Sequence, residues 1–142
     1  MFKKIFANLM LMFLAIAALP AFGQGLQQTL LPSANRFASA NTADQYATKD
    51  DKGITVFGVV STLSSNTLTF NIQGKRPDGT YYTVLSSSPS AATGTFTLKL
   101  YPGMTASANA SVSEPLPPVF RVTSTHTNAN TATYSIQVNR HK

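Results

Sequence analysis

The 142-residue chain has no cysteine and no tryptophan. Without cysteine there is no disulfide framework, no thiolate zinc site and no cysteine nucleophile, so the fold must rest on its core alone. Charge is scarce as well: Asp, Glu, Lys and Arg make up 11% of the residues, against roughly 25% in an average soluble domain. Only five carboxylates (Asp44, Asp50, Asp51, Asp78 and Glu114) and two histidines (His126 and His141) are present. An active site needs reactive groups that converge, and this inventory offers few. Asp50-Asp51 is not followed by the D-x-D-x-D-G ligand spacing of a calcium loop. There is no glycine-rich phosphate loop, no G-x-S-x-G and no H-E-x-x-H. His126 falls among Thr and Asn in an expected loop and His141 is next to last, so both read as solvated. The sequence therefore predicts no enzyme and no catalytic, cofactor-binding or metal site.

Positive charge is also too dispersed for a nucleic-acid partner. The net charge is +6, of which Lys3 and Lys4 supply two. The remaining basic residues are scattered, Lys75-Arg76 being the one adjacent pair beyond the leader. A nucleic-acid binder carries a denser stripe.

What fills the chain instead is Ser, Thr, Asn and Gln, with nine Phe and five Tyr. Disordered chains combine high charge with few aromatics, which is the opposite balance. Thr, Tyr, Phe and Val suit a pleated, half-buried surface, and from Gly53 onward the hydrophobic period is two. Ile54 to Val60 is apolar on both faces, as a central strand is. Leu68, Phe70 and Ile72 alternate with Thr67, Thr69, Asn71 and Gln73. Tyr81 to Leu85 reads as the next strand. Further strands carry Phe96, Leu98 and Leu100, then Phe120 and Val122, then Tyr134, Ile136 and Val138. Turn chemistry separates them. In Gly74-Lys75-Arg76-Pro77-Asp78-Gly79, Pro77 presets φ, Asp78 tolerates the left-handed region and Gly79 accepts positive φ. Ser64-Asn66, Ser87-Gly94, Pro102-Gly103 and Thr125-Thr131 are the other links. Short strands with turns every 8–12 residues predict an all-β sandwich or barrel. Met104 to Pro118 is expected to cross between sheets, since Pro115, Pro117 and Pro118 cannot sit in a central ladder.

Two segments precede this domain. Residues 24–52 are polar and poorly periodic and predict an extended arm, with a short strand over Leu26-Leu31 ending at Pro32. Residues 1–23 form a hydrophobic leader: Lys3-Lys4, then an apolar run containing Ile5, Phe6, Leu9, Leu11, Phe13, Leu14 and Ile16, closed by Ala21-Phe22-Gly23. This is the three-part export pattern, with small residues allowing cleavage after Gly23. The run from residue 5 to 22 is also just long enough to cross a bilayer as a helix. A cleaved signal peptide and a retained helix anchored in a membrane or a neighbouring subunit are thus both open.

Four motifs in the domain resemble small structural proteins of bacteriophages. They are Gly74-Lys75-Arg76-Pro77-Asp78-Gly79-Thr80-Tyr81-Tyr82, Gly94-Thr95-Phe96-Thr97-Leu98-Lys99-Leu100-Tyr101-Pro102-Gly103, Leu116-Pro117-Pro118-Val119-Phe120-Arg121-Val122, and Thr133-Tyr134-Ser135-Ile136. The resemblance spans about Ile54 to Val138, with the motifs in the same order and similarly spaced. It implies a single antiparallel sandwich, immunoglobulin-like or jelly-roll, over residues 53–142. It further implies a minor capsid, decoration or tail-associated role among other virion proteins, as an oligomer or lattice, with no catalytic residues or cofactors. Pro77, Gly79, Tyr82, Gly94, Phe96, Pro102, Gly103, Phe120 and Tyr134 carry over as framework, and Arg121 as an outward strand residue. The leader supports an alternative location, an exported bacterial module for adhesion or glycan binding. Tyr81-Tyr82 bears on that alternative, because exposed aromatics stack on sugars. Adjacent strand residues point to opposite faces, so at most one of the two is on the wet side.

Overall fold

The computed structural model describes residues 27–142, and the expectations for residues 1–26, including the apolar run, lie outside them. Ten strands follow in order: β1 Gln27–Arg36, β2 Ala40–Asn41, β3 Gln45–Tyr46, β4 Gly53–Leu63, β5 Leu68–Lys75, β6 Tyr81–Ser86, β7 Gly94–Leu100, β8 Ser111–Val112, β9 Val119–His126 and β10 Ala132–His141. They make two sheets. Sheet A runs β1-β10-β4-β7-β8; sheet B runs β2-β9-β5-β6, with β3 also on β9. All pairings are antiparallel except the two-residue β7–β8 contact, which is parallel.

The period-two pattern fixes which side of each strand is buried. In β5 Leu68, Phe70 and Ile72 face inward; in β9 Phe120 and Val122 do; in β10 Tyr134, Ile136 and Val138 do. Together with Ile54, Val56, Leu98 and Leu100 from sheet A they form one core between the layers. Sheet-to-sheet contact is direct: the Phe70 ring of sheet B stacks on Phe96 of sheet A at 3.8 Å and meets Tyr134 edge-on at 5.5 Å. Phe96 can lie flat because the residue opposite it on β4 is Gly58, where an added Cβ would sit 1.7 Å from the Phe96 ring.

β4 does occupy a central position, between β10 and β7. Its second apolar face, however, is uncovered among the described residues: Phe57 is 38% and Val59 48% exposed. The β5–β6 hairpin forms where Pro77, Asp78 and Gly79 predict a turn. Arg76 N donates to Thr80 O at 2.8 Å, Gly79 adopts φ of +86°, and Asp78 Oδ1 accepts from Thr80 N at 2.8 Å. The proline-rich stretch after β8 crosses from sheet A to sheet B, as expected.

The polar segment differs from expectation. It is extended, but from residue 27 on it is built into the domain rather than leading to it. β1 pairs along β10, and β2 and β3 pair along β9. Register shifts between Thr29 and Leu31 and between Leu31 and Ala34 interrupt the alternation, so no clean period of two reaches the sequence. Pro32 is tolerated because β1 is an edge strand. Leu30 and Leu31 nevertheless pack against the core.

Candidate functional site

The framework residues of the phage-like motifs do not converge. Pro77 and Gly79 lie in the β5–β6 turn, Gly94 and Phe96 on β7, Pro102 and Gly103 in the turn after it, and Phe120 and Tyr134 in the core. Three polar clusters do form, and the sequence reading singled out none of them as a site.

The first is on the outer face of sheet B. Because Phe120 and Val122 point inward, Arg121 points outward, and the register places it beside Gln73 of β5, which pairs in turn with Thr83 of β6. Tyr81 pairs with Lys75 on the same face. Tyr82 lies on the other side, over Gly74, where an added Cβ would sit 2.6 Å from its ring; it is 37% exposed. The adjacent tyrosines thus part to opposite faces, and the outward one is Tyr81. Its ring carries the Arg121 guanidinium at 3.5 Å from the centroid, while Arg121 Nε donates to Gln73 Oε1 at 2.9 Å. Its hydroxyl donates to Asp44 Oδ1 at 2.6 Å, and Lys75 Nζ donates to Asp44 Oδ2 at 2.8 Å. The Lys75 and Tyr81 hydrogen bonds hold the Asp44 carboxyl below the ordinary carboxylate range, and Asp44 in turn raises Lys75. Tyr46, 68% exposed, borders this patch on β3 beside Val119.

The second cluster closes one end of the sandwich. His126 is the last residue of β9 and is half-buried, not a solvated loop histidine. Asn66, almost fully buried, donates through Nδ2 to His126 Nδ1 at 2.9 Å and to Asn130 O at 2.7 Å, and accepts from Thr67 N at 2.8 Å. His126 Nε2 then lies 3.3 Å from Tyr134 Oη, which lies 2.5 Å from Ser124 Oγ. With Nδ1 accepting, the ring proton is on Nε2 and points at the tyrosine. Burial, helped by the nearby Arg36 charge, pushes His126 below its ordinary value. Arg36 itself covers the Tyr134 ring at 4.5 Å and donates to Tyr134 O at 2.6 Å. The network ties the β4–β5 and β9–β10 loops to both sheets.

The third cluster ties the segment between β3 and β4 to the end of β10. The buried carboxylate of Asp51 accepts from Thr48 N at 2.8 Å and from Arg140 Nη1 at 3.0 Å, and the same Arg140 atom donates to Tyr46 O at 2.7 Å. Burial opposes ionisation of Asp51, but the Thr48 amide and Arg140 outweigh it and leave the carboxyl below its usual range. His141 Nε2 lies 2.7 Å from Thr55 Oγ1.

Most of these groups are partnered in a way that orders the fold, and the hydroxyls beside His126, those of Tyr134 and Ser124, are buried. Among the described residues no three His, Cys, Asp or Glu side chains come together as a metal centre would require. Among the described residues the outer face of sheet B alone combines charge, an amide, a fixed aromatic and access from solvent. Comparison with protein-family models and with curated proteins finds no match for this chain.

Proposed function

We propose that this chain is a non-enzymatic structural protein of a virion, in a minor capsid, decoration or tail-associated position, built as a jelly-roll sandwich. The observation that carries the reading is strand order. If β2 and β3 are counted as one interrupted strand and the two-residue β8 is set aside, the main strands number eight and the sheets read 1-8-3-6 and 2-7-4-5. That is the double Greek-key order of jelly rolls, an architecture used by viral capsid and lectin domains. An immunoglobulin-like order would keep the last two strands in one sheet, whereas β9 and β10 lie in different sheets. Fold by itself does not assign function; the phage-like motif order adds the virion part of the reading. The low charge of the chain, 11%, suits close packing of copies by limiting like-charge repulsion. Partners on this reading are other virion proteins and further copies of the chain, with residues 5–22 as a membrane or subunit attachment.

The test is mass spectrometry of purified particles. An intact Met1 in a chain that co-sediments with the capsid supports the proposal. A mature chain beginning near Gln24 in the culture fluid or periplasm, and none in particles, refutes it. A second reading, an exported module for adhesion or glycan binding, is favoured by the polar outer face of sheet B, where Arg121 is held ready for a ligand.

A further inference from the structure

We infer that the outer face of sheet B binds an acidic polysaccharide, with Arg121 taking the carboxylate of one sugar residue. The inference rests on the glycan-binding reading above and applies wherever the protein resides.

Arg121 is a fixed cation. Tyr81 lies flat against it at 3.5 Å and Gln73 holds its Nε at 2.9 Å, so the guanidinium has little rotamer freedom left to lose. Among the described residues its two terminal nitrogens donate to nothing. The free edge formed by the two terminal nitrogens matches a carboxylate bidentately, and Lys cannot copy that geometry. The aromatic beneath it is fixed too, because Asp44 holds the Tyr81 hydroxyl.

The neighbouring charge is cancelled. Lys75 is neutralised by Asp44 at 2.8 Å, so the patch offers one net positive group rather than a field. That suits a polymer with well-spaced single charges and disfavours dense polyanions, which reward many simultaneous contacts.

The remainder of the face fits hydroxylated sugars. Asn71, Thr83 and Thr125 lie on three adjacent strands of this face, the strands being about 4.8 Å apart and same-face residues about 7 Å apart along them. They carry amide and hydroxyl groups and no charge. At the border Tyr46 exposes most of its ring as a surface on which a sugar face can stack. An acidic peptide would satisfy Arg121 but would not use this neutral track, so the polysaccharide is the better match.

The test is titration of the purified protein, as naturally processed, with oligomers of alginate (a polyuronate) and of polysialic acid, with neutral dextran and heparin as comparisons. Binding is read by calorimetry, at low and moderate salt, for wild type, R121Q, R121K and Y46A. The expected result is saturable binding of one carboxylated sugar polymer, weakened about tenfold or more in both Arg121 variants. The salt slope should correspond to about one charge per site. Y46A should weaken binding while leaving the need for carboxylate intact. Thermal unfolding of each variant separates lost contact from lost fold, and Q73A, which frees Arg121 while keeping its charge, should also weaken binding.

Which polymer binds distinguishes uronate from sialate as the source of the carboxylate. Equal binding by R121Q and wild type overturns the assignment to Arg121 while leaving glycan binding standing. A preference for dextran overturns the acidic ligand. A preference for heparin with a steep salt slope, or for an acidic peptide included as a further arm, overturns the polysaccharide. Absence of binding to every polymer removes both the inference and the glycan-binding reading.

Discussion

Placing a methyl group at Gly58 tests the central packing of the sandwich. Gly58 sits on β4 directly opposite Phe96 of β7, and Phe96 uses the vacant space to lie against Phe70 of the other sheet at 3.8 Å. An alanine Cβ would be 1.7 Å from Cε1 and 2.1 Å from Cζ of Phe96, far inside contact distance, so the ring must swing away and give up its stacking. Overpacking of this kind costs about 1–3 kcal/mol, while Gly→Ala gains about 0.4–1 kcal/mol by restricting the unfolded chain, since Gly58 is not in a left-handed conformation. The net expectation for Gly58→Ala is a loss of about 1–2 kcal/mol, or about 4–12 °C in Tm for a domain of this size. The assay is urea unfolding followed by far-UV circular dichroism for Gly58→Ala, Phe96→Ala and the double variant. In the Phe96→Ala background the ring is gone, so the glycine substitution should become neutral or stabilising, a coupling of at least 1 kcal/mol in the double-mutant cycle. Additive effects, or a stabilised single variant, would refute the account of Phe96 resting on Gly58.

Three further expectations follow from the polar clusters. Tyr134→Phe removes the hydroxyl shared by buried Ser124 and His126 and should cost about 1–3 kcal/mol in urea unfolding, with the core otherwise intact. Asp51→Asn leaves Arg140 and the Thr48 amide without their carboxylate and should lower stability by about 1–3 kcal/mol, seen as a lower Tm at neutral pH. Because the native pKa of His126 is lowered, the stability gained by keeping it neutral is complete above about pH 6.5 and is lost as pH falls through the lower native value. Asp44, Asp51 and Asp78 are also lowered, from 3.8, so their contributions persist down to about pH 4 and do not mask the histidine. Urea midpoints of wild type should therefore fall between pH 7.5 and 5, and His126→Gln should flatten that dependence; an unchanged slope in the variant would assign it elsewhere.

Much of the domain is determined by the order of residues alone. Alternation in Leu68–Ile72, Phe120–Val122 and Tyr134–Val138 commits these stretches to strands, because a period of two exposes a continuous apolar face only when the chain is extended. It also decides which residues are inside, so Arg121 points outward in any sheet that buries Phe120 and Val122. Pro77, Asp78 and Gly79 specify the β5–β6 turn through their own backbone preferences.

Other features needed the assembled sheets. The first half of β1 was legible as the short strand expected up to Leu31, but its run past Pro32 to Arg36 was not, because its bulges erase the alternation. β2 and β3 are two residues each, too short for any periodicity. That Arg121 meets Gln73 and Tyr81 depends on β9 pairing with β5 rather than with β10, a choice made across 48 residues of sequence. The same holds for His126, whose loop-like neighbours Thr125 and Thr127 conceal the buried Asn66 from the other side of the fold. Side-chain direction is local and can be read from the strand, but side-chain company is set by strand order, and only packing the two layers fixes that order.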